Sequence, residues 1–248
     1  ETQQGWAEKY DQDVKEVTSF ADATKLSMET TVLANATGFG VASRGMVGPA
    51  CGYVRELASL LPPEPMLGGG IVDYCVGAAP HTGAFVVFHE TNPLKQAQLA
   101  YYKMGDGPFY VLYTPFHLPH IQLTSTIARA VIHRDPTVAP LAGPVCEVVS
   151  VAKRDLKAGE KLDGVGGFCC YGLIENRAAA RAINALPIAM SEDCVLRRDI
   201  AKDSVVGFND VTAPPARLVD TLWQEQLRRW PASSPADGAP IKREPALT

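Results

Sequence analysis

The stretch Tyr101–His120, which reads YYKMGDGPFYVLYTPFHLPH, combines a strand signal with chain breakers and acid-base side chains. Aromatic and β-branched residues at Phe109–Tyr113 predict a strand, and glycine or proline interrupts the chain on both sides of it. The charged and titratable side chains of the stretch stand before and after this strand: Lys103 and Asp106, then His117 and His120. A rigid strand with aromatic walls can position such groups and exclude water. The stretch is therefore the first candidate for an active-site wall.

The individual residues of this stretch allow two interpretations. His117 and His120 have the spacing of a metal pair, but an intervening proline and the lack of a third ligand disfavour zinc, so a general acid or base role fits better. Asn92-Pro93 predicts the start of a helix that Gly105 would end. Lys103 would then lie in the last turn, where the helix dipole favours a cation, and this structural role competes with a catalytic one.

Composition excludes several classes of function. The 248 residues are 46% hydrophobic and 20% charged, with a net charge of -4, which describes an ordinary globular protein. No basic run is interleaved with aromatics, no apolar run reaches the roughly 18 residues needed to span a bilayer, and no signal peptide is visible. We expect a cytoplasmic protein with neither a nucleic acid nor a membrane as partner.

The six cysteines are spread along the chain without a C-x-x-C pair, and several stand in apolar runs. This pattern favours buried thiols in a reducing compartment over disulfides or a metal centre. The chain begins at Glu1 without a methionine, which predicts a fragment, a processed product or a trimmed chain.

A long helix is predicted to begin at Thr18, after a polar and frayed terminus of fifteen residues. Ser19 followed by Asp22 has the form of a capping box. Asp22, Lys25 and Glu29 then share one helix face, which predicts a polar cradle for a substrate or, equally, a helix cap beside a surface ion pair.

Three further segments connect these regions. Arg44, in the loop SRGMVGP, could clamp an anion through its fork of donors or be simply solvated. Strands are predicted at Ile71–Val76 and Ala84–His89, and an amphipathic helix at Thr124–His133. NATGFG at Asn35–Gly40 follows a helix instead of a strand, so it predicts a helix end and not a dinucleotide-binding turn.

From residue 145 onward, short β-type runs replace this pattern. Two segments, RDLKAGEKL and RDIAKDSVV, are weak internal repeats, and an alanine-rich helical insert at Ala178–Ala185 separates them. A helix is predicted at Leu218–Trp230, and the remainder, PASSPADGAPIKREPALT, lacks the hydrophobicity to fold.

These motifs carry a family resemblance. KRDLKAGEKLDGVGG together with RRDIAKDSV and FNDV resembles a SAF domain, the β-clip module of antifreeze proteins, sialic acid synthases and altronate dehydratases. Adding TSFADATKLSMETTVLANATGF, RGMVGP, YKMGDGPFYVLYTPFHLPH and CYGLIEN, residues 16 to 226 resemble the C-terminal portion of homoserine-dehydrogenase-like oxidoreductases. That group includes the 1-deoxy-D-xylulose-5-phosphate reductoisomerase-like enzymes.

The resemblance implies an NAD(P)-dependent enzyme with a Rossmann domain, a substrate domain that also assembles a homo-oligomer, and a terminal SAF domain. This chain departs from it, because no strand is followed by G-x-G-x-x-G with an acid some twenty residues later. NAD(P) would therefore be bound by a domain or separate Rossmann subunit missing here. Two kinds of function stay open. The first is the substrate-binding and catalytic half of a reductase or reductoisomerase. The second lacks redox activity of its own: a SAF-based module for sugar or acid binding and assembly, or a cofactor-independent isomerase or lyase.

The predicted fold follows from both arguments. Residues 1–145 form an α/β (α+β) domain for substrate binding, catalysis and oligomerisation, residues 146–213 form an all-β SAF domain, and residues 214–248 form a helix and a disordered tail. The predicted catalytic residues are Lys25, Lys103, His117 and His120, and the predicted substrate-binding residues are Asp22, Glu29, Arg44 and Asp106. We expect all of them to face one cavity, with no metal bound.

Overall fold

The computed structural model describes residues 2–140 and 143–231. Its helices and short strands follow one another in this order: α1 Gln3–Tyr10, α2 Val14–Ala21, α3 Thr24–Thr37, α4 Leu57–Leu60, α5 Pro63–Leu67, β1 Ala84–His89, α6 Pro93–Tyr101, β2 Phe109–Thr114, α7 Pro119–Ile132, β3 Cys146–Ala152, β4 Cys170–Asn176, α8 Arg177–Ala182, β5 Val195–Leu196, β6 Val211–Thr212 and α9 Leu218–Arg229. Two compact units contain them. Unit 1 joins residues 1–45 to residues 140–248, and unit 2 is residues 46–139.

Unit 1 is built on the antiparallel pair β3 and β4, with Cys146 opposite Asn176 and Ala152 opposite Cys170. Helix α3 packs against both strands, and the backbone N–H of Gly172 donates to Thr24 Oγ1 at 2.9 Å. A side chain at position 172 would collide with Val148 and Thr24, so glycine permits this close approach. The polar start of α3 is thereby fixed to the sheet.

The two weak repeats, RDLKAGEKL and RDIAKDSVV, lie beside each other in unit 1. Leu156 and Ile200 exchange backbone hydrogen bonds of 2.8 and 3.0 Å, and both side chains are buried in the largest core cluster. The predicted helices of this region are confirmed as α8 and α9, with ends that differ by at most three residues from the prediction. The assignment of residues 146–213 to a SAF domain stays a prediction, and the predicted tail after Pro231 lies outside the described residues.

The single helix predicted from Thr18 is wrong. The chain instead forms α2 and α3, because Ala23 adopts a left-handed φ of 67° between them. Asp13 caps α2, since its carboxylate accepts from the N–H groups of Lys15 and Glu16 at 2.9 and 3.0 Å. Ser19 is not a cap, because its hydroxyl donates to the Glu16 carbonyl from within α2. The terminus predicted to be frayed forms α1.

Unit 2 contains the predicted strands at Ala84–His89 and Phe109–Tyr113, which are confirmed as the antiparallel pair β1 and β2. The predicted strand Ile71–Val76 is wrong: only its two end residues, Ile71 and Val76, make isolated bridges, that of Val76 being parallel to Ala50, so no ladder forms. A small core of Val54, Leu57, Leu61, Ala78 and Val111 lies beneath the sheet.

The helix boundaries in unit 2 differ from the prediction. Helix α6 starts at the Asn92 cap as expected but ends at Tyr101 instead of near Gly105. Lys103, with φ 60°, therefore follows the helix and does not lie in its last turn. Helix α7 begins at Pro119, five residues before the predicted Thr124, because proline is favourable in the first turn. In the described ranges, no helix combines the length and apolar character that crossing a membrane requires.

Candidate functional site

A groove of about 420 Å³ lies in unit 1 along α2 and α3. Two lysines and two glutamates meet apolar side chains along its walls: Lys15, Glu16, Ser19, Lys25, Met28, Glu29, Val32 and Val165. Its volume is within the range of small-molecule pockets, and its mixture of apolar walls with a few charged groups is typical of them. The groove contains the predicted residues Lys25 and Glu29.

Lys25 is held by two contacts that leave part of it accessible. Its ammonium lies 3.4 Å from Glu16 Oε1 and 3.8 Å from the centre of the Phe20 ring. The lysine side chain is 33% exposed. A cation fixed over an aromatic face beside a carboxylate can still offer an ammonium proton to a ligand oxygen.

Asp22 does not line this groove. One of its carboxylate oxygens accepts from the Thr24 N–H at 2.9 Å, which caps the start of α3. The other lies 2.7 Å from the ammonium of Lys153. That contact is an ion pair by distance, although its angles are not those of a hydrogen bond. Of the two roles that the sequence allowed for Asp22, substrate binding and helix capping beside an ion pair, these contacts agree with the second.

Arg44 also lies outside the groove and holds a buried carboxylate. Its Nε donates to Glu175 Oε2 at 2.9 Å, and the Glu175 side chain is only 8% exposed. Glu175 stands opposite Glu147 in the β3–β4 register, an arrangement in which like charges repel. Arg44 therefore compensates one of two facing acids, while its 38% exposed side chain keeps donors available for an anion.

In unit 2, Lys103 and Asp106 precede β2, whereas His117 and His120 follow it. The six residues of β2 span roughly 17 Å at the usual rise per residue, so the two pairs stand at opposite ends of the strand as predicted. All four residues are exposed. The prediction that they meet Lys25 in one cavity stays a prediction, since Lys25 belongs to unit 1.

Sequence reasoning missed a cluster of tyrosine and arginine in unit 2. The hydroxyls of Tyr53 and Tyr113 lie 2.9 Å apart, and Arg55 donates to the carbonyl of Lys103 at 2.7 Å. The hydrogen bond to Tyr53 and partial burial raise the pKa of Tyr113, while Arg55 opposes the increase. Tyr113 belongs to the strand singled out at the start, but nothing in the sequence indicated that Tyr53 pairs with it.

Lys15, Glu16 and Ser19 were missed in the unit 1 groove. The signal that could have found them is Asp13 followed by Glu16, which is a capping pattern at the start of α2. No group of three or more His, Cys, Asp or Glu side chains within residues 2–140 and 143–231 is arranged to hold a metal ion.

Comparison with known families places these residues in a wider class. Residues 1–123 match the family described as "Oxidoreductase DRL, catalytic domain". The match supports an oxidoreductase domain family for this part of the chain, and with it a general oxidoreductase role. A comparison with curated proteins found no match.

The matched range contains every predicted site residue, from Asp22 to His120, and also the Tyr53–Tyr113 pair. The match ends before α8, α9 and the two weak repeats. The oxidoreductase class therefore rests on the part of the chain that carries the candidate site.

Proposed function

We propose that this chain is the substrate-binding and catalytic part of an NAD(P)-dependent reductase or reductoisomerase. Its substrate would be a small carbonyl compound, a polyol or a sugar-phosphate-like molecule. The observation that carries the proposal is that the oxidoreductase match covers seven of the eight residues that line the Lys25 groove and also the Lys103–His120 stretch. The resemblance to homoserine-dehydrogenase-like and reductoisomerase-like enzymes supplies the finer description.

The groove residues suit the handling of a polar oxygen. The Lys25 ammonium could hold a carbonyl or hydroxyl oxygen and stabilise negative charge that develops there, because a charge-assisted hydrogen bond is stronger than a neutral one and gains strength where water is partly excluded. Glu29 lines the same groove and could accept a hydrogen bond from a neighbouring hydroxyl. The apolar chains of Met28 and Val32 would exclude water from one side of the ligand.

The cofactor would supply hydride, but the residues of this chain do not fit it. Dinucleotide binding needs a parallel βαβ unit with a glycine turn at the helix N-terminus. The sheets formed by the described residues are antiparallel pairs. We propose that a domain or separate Rossmann subunit outside this chain binds the cofactor.

A binding experiment on the full chain tests the groove. We expect calorimetric titration with a panel of small hydroxy carbonyl compounds and sugar phosphates to give a ligand whose affinity falls about tenfold or more in Lys25→Ala, because a charge-assisted hydrogen bond is lost. Lys202→Ala removes the same charge from an exposed position that does not line the groove, and should leave the affinity unchanged. Equal affinities in all three proteins would contradict the assignment.

A titration with NADPH tests the placement of the cofactor. The chain alone should show no tight binding, because it offers no phosphate-binding glycine turn before a helix. A low-micromolar dissociation constant would refute this part of the proposal while leaving the Lys25 groove intact.

We further propose a cytoplasmic homo-oligomer, as the resemblance implies. Helix α7 supports the assembly, since Ile121, Leu123, Ile127 and Val131 are 53 to 63% exposed. Burying such side chains against a second copy would contribute about 1.5 to 3 kcal/mol each when complete. Light scattering on the wild type and Ile127→Glu should show a larger assembly that the charge weakens, and a monomeric wild type would contradict it.

A second function is supported by a different groove of unit 1. A cleft of about 340 Å³ has aromatic, amide and charged walls: Glu147, Ala180, Arg181, Asn184, Ala185, Phe208, Trp223, Gln224 and Leu227. Six of its nine residues lie in the predicted SAF domain at 146–213, the other three lie on α9, and all nine lie beyond the oxidoreductase match. A ligand whose affinity depends on Trp223 and not on Lys25 would favour the binding and assembly module.

A further inference from the structure

The cleft of about 340 Å³ lined by β3, α8 and α9, which we call the Trp223 cleft, is bounded by a helix that is fixed at both ends. Arg217, just before α9, donates to the carbonyl of Met190 at 2.9 Å. Just after α9, the carbonyl of Trp230 accepts a hydrogen bond from Arg177. Trp223, between these two points, packs against the largest core cluster of unit 1. This wall of the cleft is therefore fixed without a ligand, which lowers the cost of binding one.

Small and apolar side chains line much of the Trp223 cleft. Ala180 and Ala185 are buried lining residues, and each side chain is a single methyl group that leaves space beside it. Phe208, Trp223 and Leu227 are partly exposed. The rings of Phe208 and Trp223 lie 6.0 Å apart with an angle of 32° between their planes. A ligand with a flat apolar body can bury surface against these side chains.

Arg181 is a cation that the same cleft can present to a ligand. Its Nε and Nη2 both donate to Glu147 Oε1 at 3.3 Å. Its guanidinium also lies 5.0 Å from the centre of the Trp223 ring. Two separate contacts thus fix the guanidinium plane, while the side chain stays 20% exposed.

The contact with Glu147 uses only one edge of the Arg181 guanidinium. The group carries five N–H donors, and the edge formed by Nε and Nη2 is the one that faces Glu147. Nη1 makes no hydrogen bond to the residues that the structure describes. The adjacent edge, where one N–H of Nη1 and one of Nη2 point the same way, is the fork that binds a carboxylate through two parallel hydrogen bonds.

The acids near the cleft are paired and do not exclude an anion. Glu147, whose side chain is 7% exposed, lies 3.3 Å from Arg181 and 3.9 Å from Arg177. Glu175, opposite Glu147 in the strand register, lies 2.9 Å from Arg44. Because Arg181 already shares its charge with Glu147, a carboxylate with one negative charge suits it better than a phosphate with two.

We propose that the Trp223 cleft binds a small organic carboxylate with a flat apolar body. The carboxylate accepts the two parallel N–H groups of Arg181, and the body contacts Trp223 and Phe208. The exposed amide side chains of Asn184 and Gln224 line the same cleft and can bond to polar substituents of the ligand. The inference rests on the second function proposed above, for which it names a ligand class, and it is independent of the groove along α2 and α3.

Matched pairs of probes test the ligand class on the full chain. Naphthoate and naphthamide differ in the charged group, as do phenylacetate and phenylacetamide. Calorimetric titration should show binding of at least one acid and an affinity about tenfold or more lower for its amide, because the two charge-assisted hydrogen bonds are lost. The proposal is overturned if neither acid binds at millimolar concentration.

The same titrations separate a wrong ligand class from a wrong function. Amides that bind as tightly as the acids, with an affinity that falls in Trp223→Ala, would overturn the carboxylate class and leave the second function in place. Failure of the second function would instead appear as the lack of any ligand, charged or neutral, whose affinity depends on Trp223.

A conservative variant locates the carboxylate. Arg181→Lys keeps the positive charge but removes the planar fork, so the affinity for the acid should fall about tenfold. Arg154→Lys makes the same change in an exposed ion pair outside the cleft and should leave the affinity unchanged. Equal affinities in Arg181→Lys and the wild type would contradict the assignment. Where Arg181→Lys fails to fold, the comparison of acid and amide on the wild type still decides.

Discussion

Unit 1 and unit 2 differ in how many apolar side chains they bury. The largest core cluster of unit 1 surrounds fully buried residues such as Leu156, Leu162 and Leu186, whereas the cluster of unit 2 is limited to Val54, Leu57, Leu61, Ala78 and Val111. Helices α6 and α7 of unit 2 bury none of their side chains. Helical segments of this length are marginal without tertiary packing, so we expect unit 2 to open more readily than unit 1.

The two units also differ in how far their charged side chains are buried and paired. In unit 1, the facing acids Glu147 and Glu175 of β3 and β4 are compensated by arginines from other elements. In unit 2, Lys103, Asp106, His117 and His120 are exposed. The buried acids of β3 and β4 therefore serve the fold of unit 1, whereas these four residues of unit 2, like Lys25 in the groove of unit 1, are accessible to a ligand or partner.

The largest effect is expected from removing a buried charge in unit 1. Glu147, whose side chain is 7% exposed, lies 3.3 Å from Arg181 and 3.9 Å from Arg177. Glu147→Gln should lower the free energy of unfolding by about 3 to 5 kcal/mol, because it removes the charge of a buried carboxylate that lies against two arginines. Urea denaturation measures the loss. Glu160→Gln breaks a more exposed ion pair with Arg154 and should cost much less. Equal losses would mean that the buried charges of unit 1 are not structural.

A matched pair of leucine truncations compares the packing of the units directly. Leu156→Ala in unit 1 should lower the free energy of unfolding by about 2 to 5 kcal/mol, since the side chain is fully buried. Leu123→Ala on α7 should cost less than about 1 kcal/mol, since that side chain is 57% exposed. Denaturation of both variants decides the contrast. This value applies to the dissociated chain: a larger loss for Leu123→Ala that increases with protein concentration would be the result expected if α7 is covered by a second copy, as proposed for the homo-oligomer.

Alkaline pH should affect the core of unit 1. Burial raises the pKa of the Cys146 and Cys170 thiols to about 12, above the usual 9.0. Their stabilising contribution is complete below pH 9.0 and is lost as the pH rises toward 12, because the unfolded chain then releases protons that the folded chain retains. We expect a loss of about 1 kcal/mol per pH unit from each thiol.

Unfolding free energies measured at a series of pH values above neutrality test this dependence. Cys170→Ala removes one titrating group, so the slope above pH 9.0 should decrease relative to the wild type. Lysines and tyrosines that titrate in the same range contribute equally to both proteins and cancel in the comparison. An unchanged slope would show that Cys170 does not stay protonated in the folded chain.

The smallest effect is expected from two equivalent helix caps. Asp13 caps α2 in unit 1 with bonds of 2.9 and 3.0 Å, and Asn92 caps α6 in unit 2 with bonds of 2.9 and 3.5 Å. Each substitution by alanine should cost about 1 kcal/mol. Hydrogen exchange separates them: Asp13→Ala should speed exchange in α2 and in the packed core, whereas Asn92→Ala should speed exchange in α6 alone. Exchange spreading equally through both units would remove the proposed difference in stability.

Local patterns in the sequence predicted the elements whose signals are short-range. The strand Phe109–Tyr113, its partner Ala84–His89 and the Asn92 cap are confirmed, because alternation, branching and capping act over a few residues. The first failure is also local: Ala23 takes a left-handed conformation that its side chain does not favour, so no residue-level signal announced the break between α2 and α3.

The sequence by itself determined that Lys25 and Glu29 share a helix face, and this placed them in one groove. Only the tertiary structure decided that Arg44 holds Glu175, which lies 131 residues away, and that Asp22 lies beside Lys153. The register of β3 and β4 fixes which charges face each other, and that register depends on the burial of whole strands and not on the neighbours of any one residue. For the same reason the sequence did not predict the Tyr53–Tyr113 pair, whose hydroxyls are in contact although the two residues are 60 positions apart in the chain.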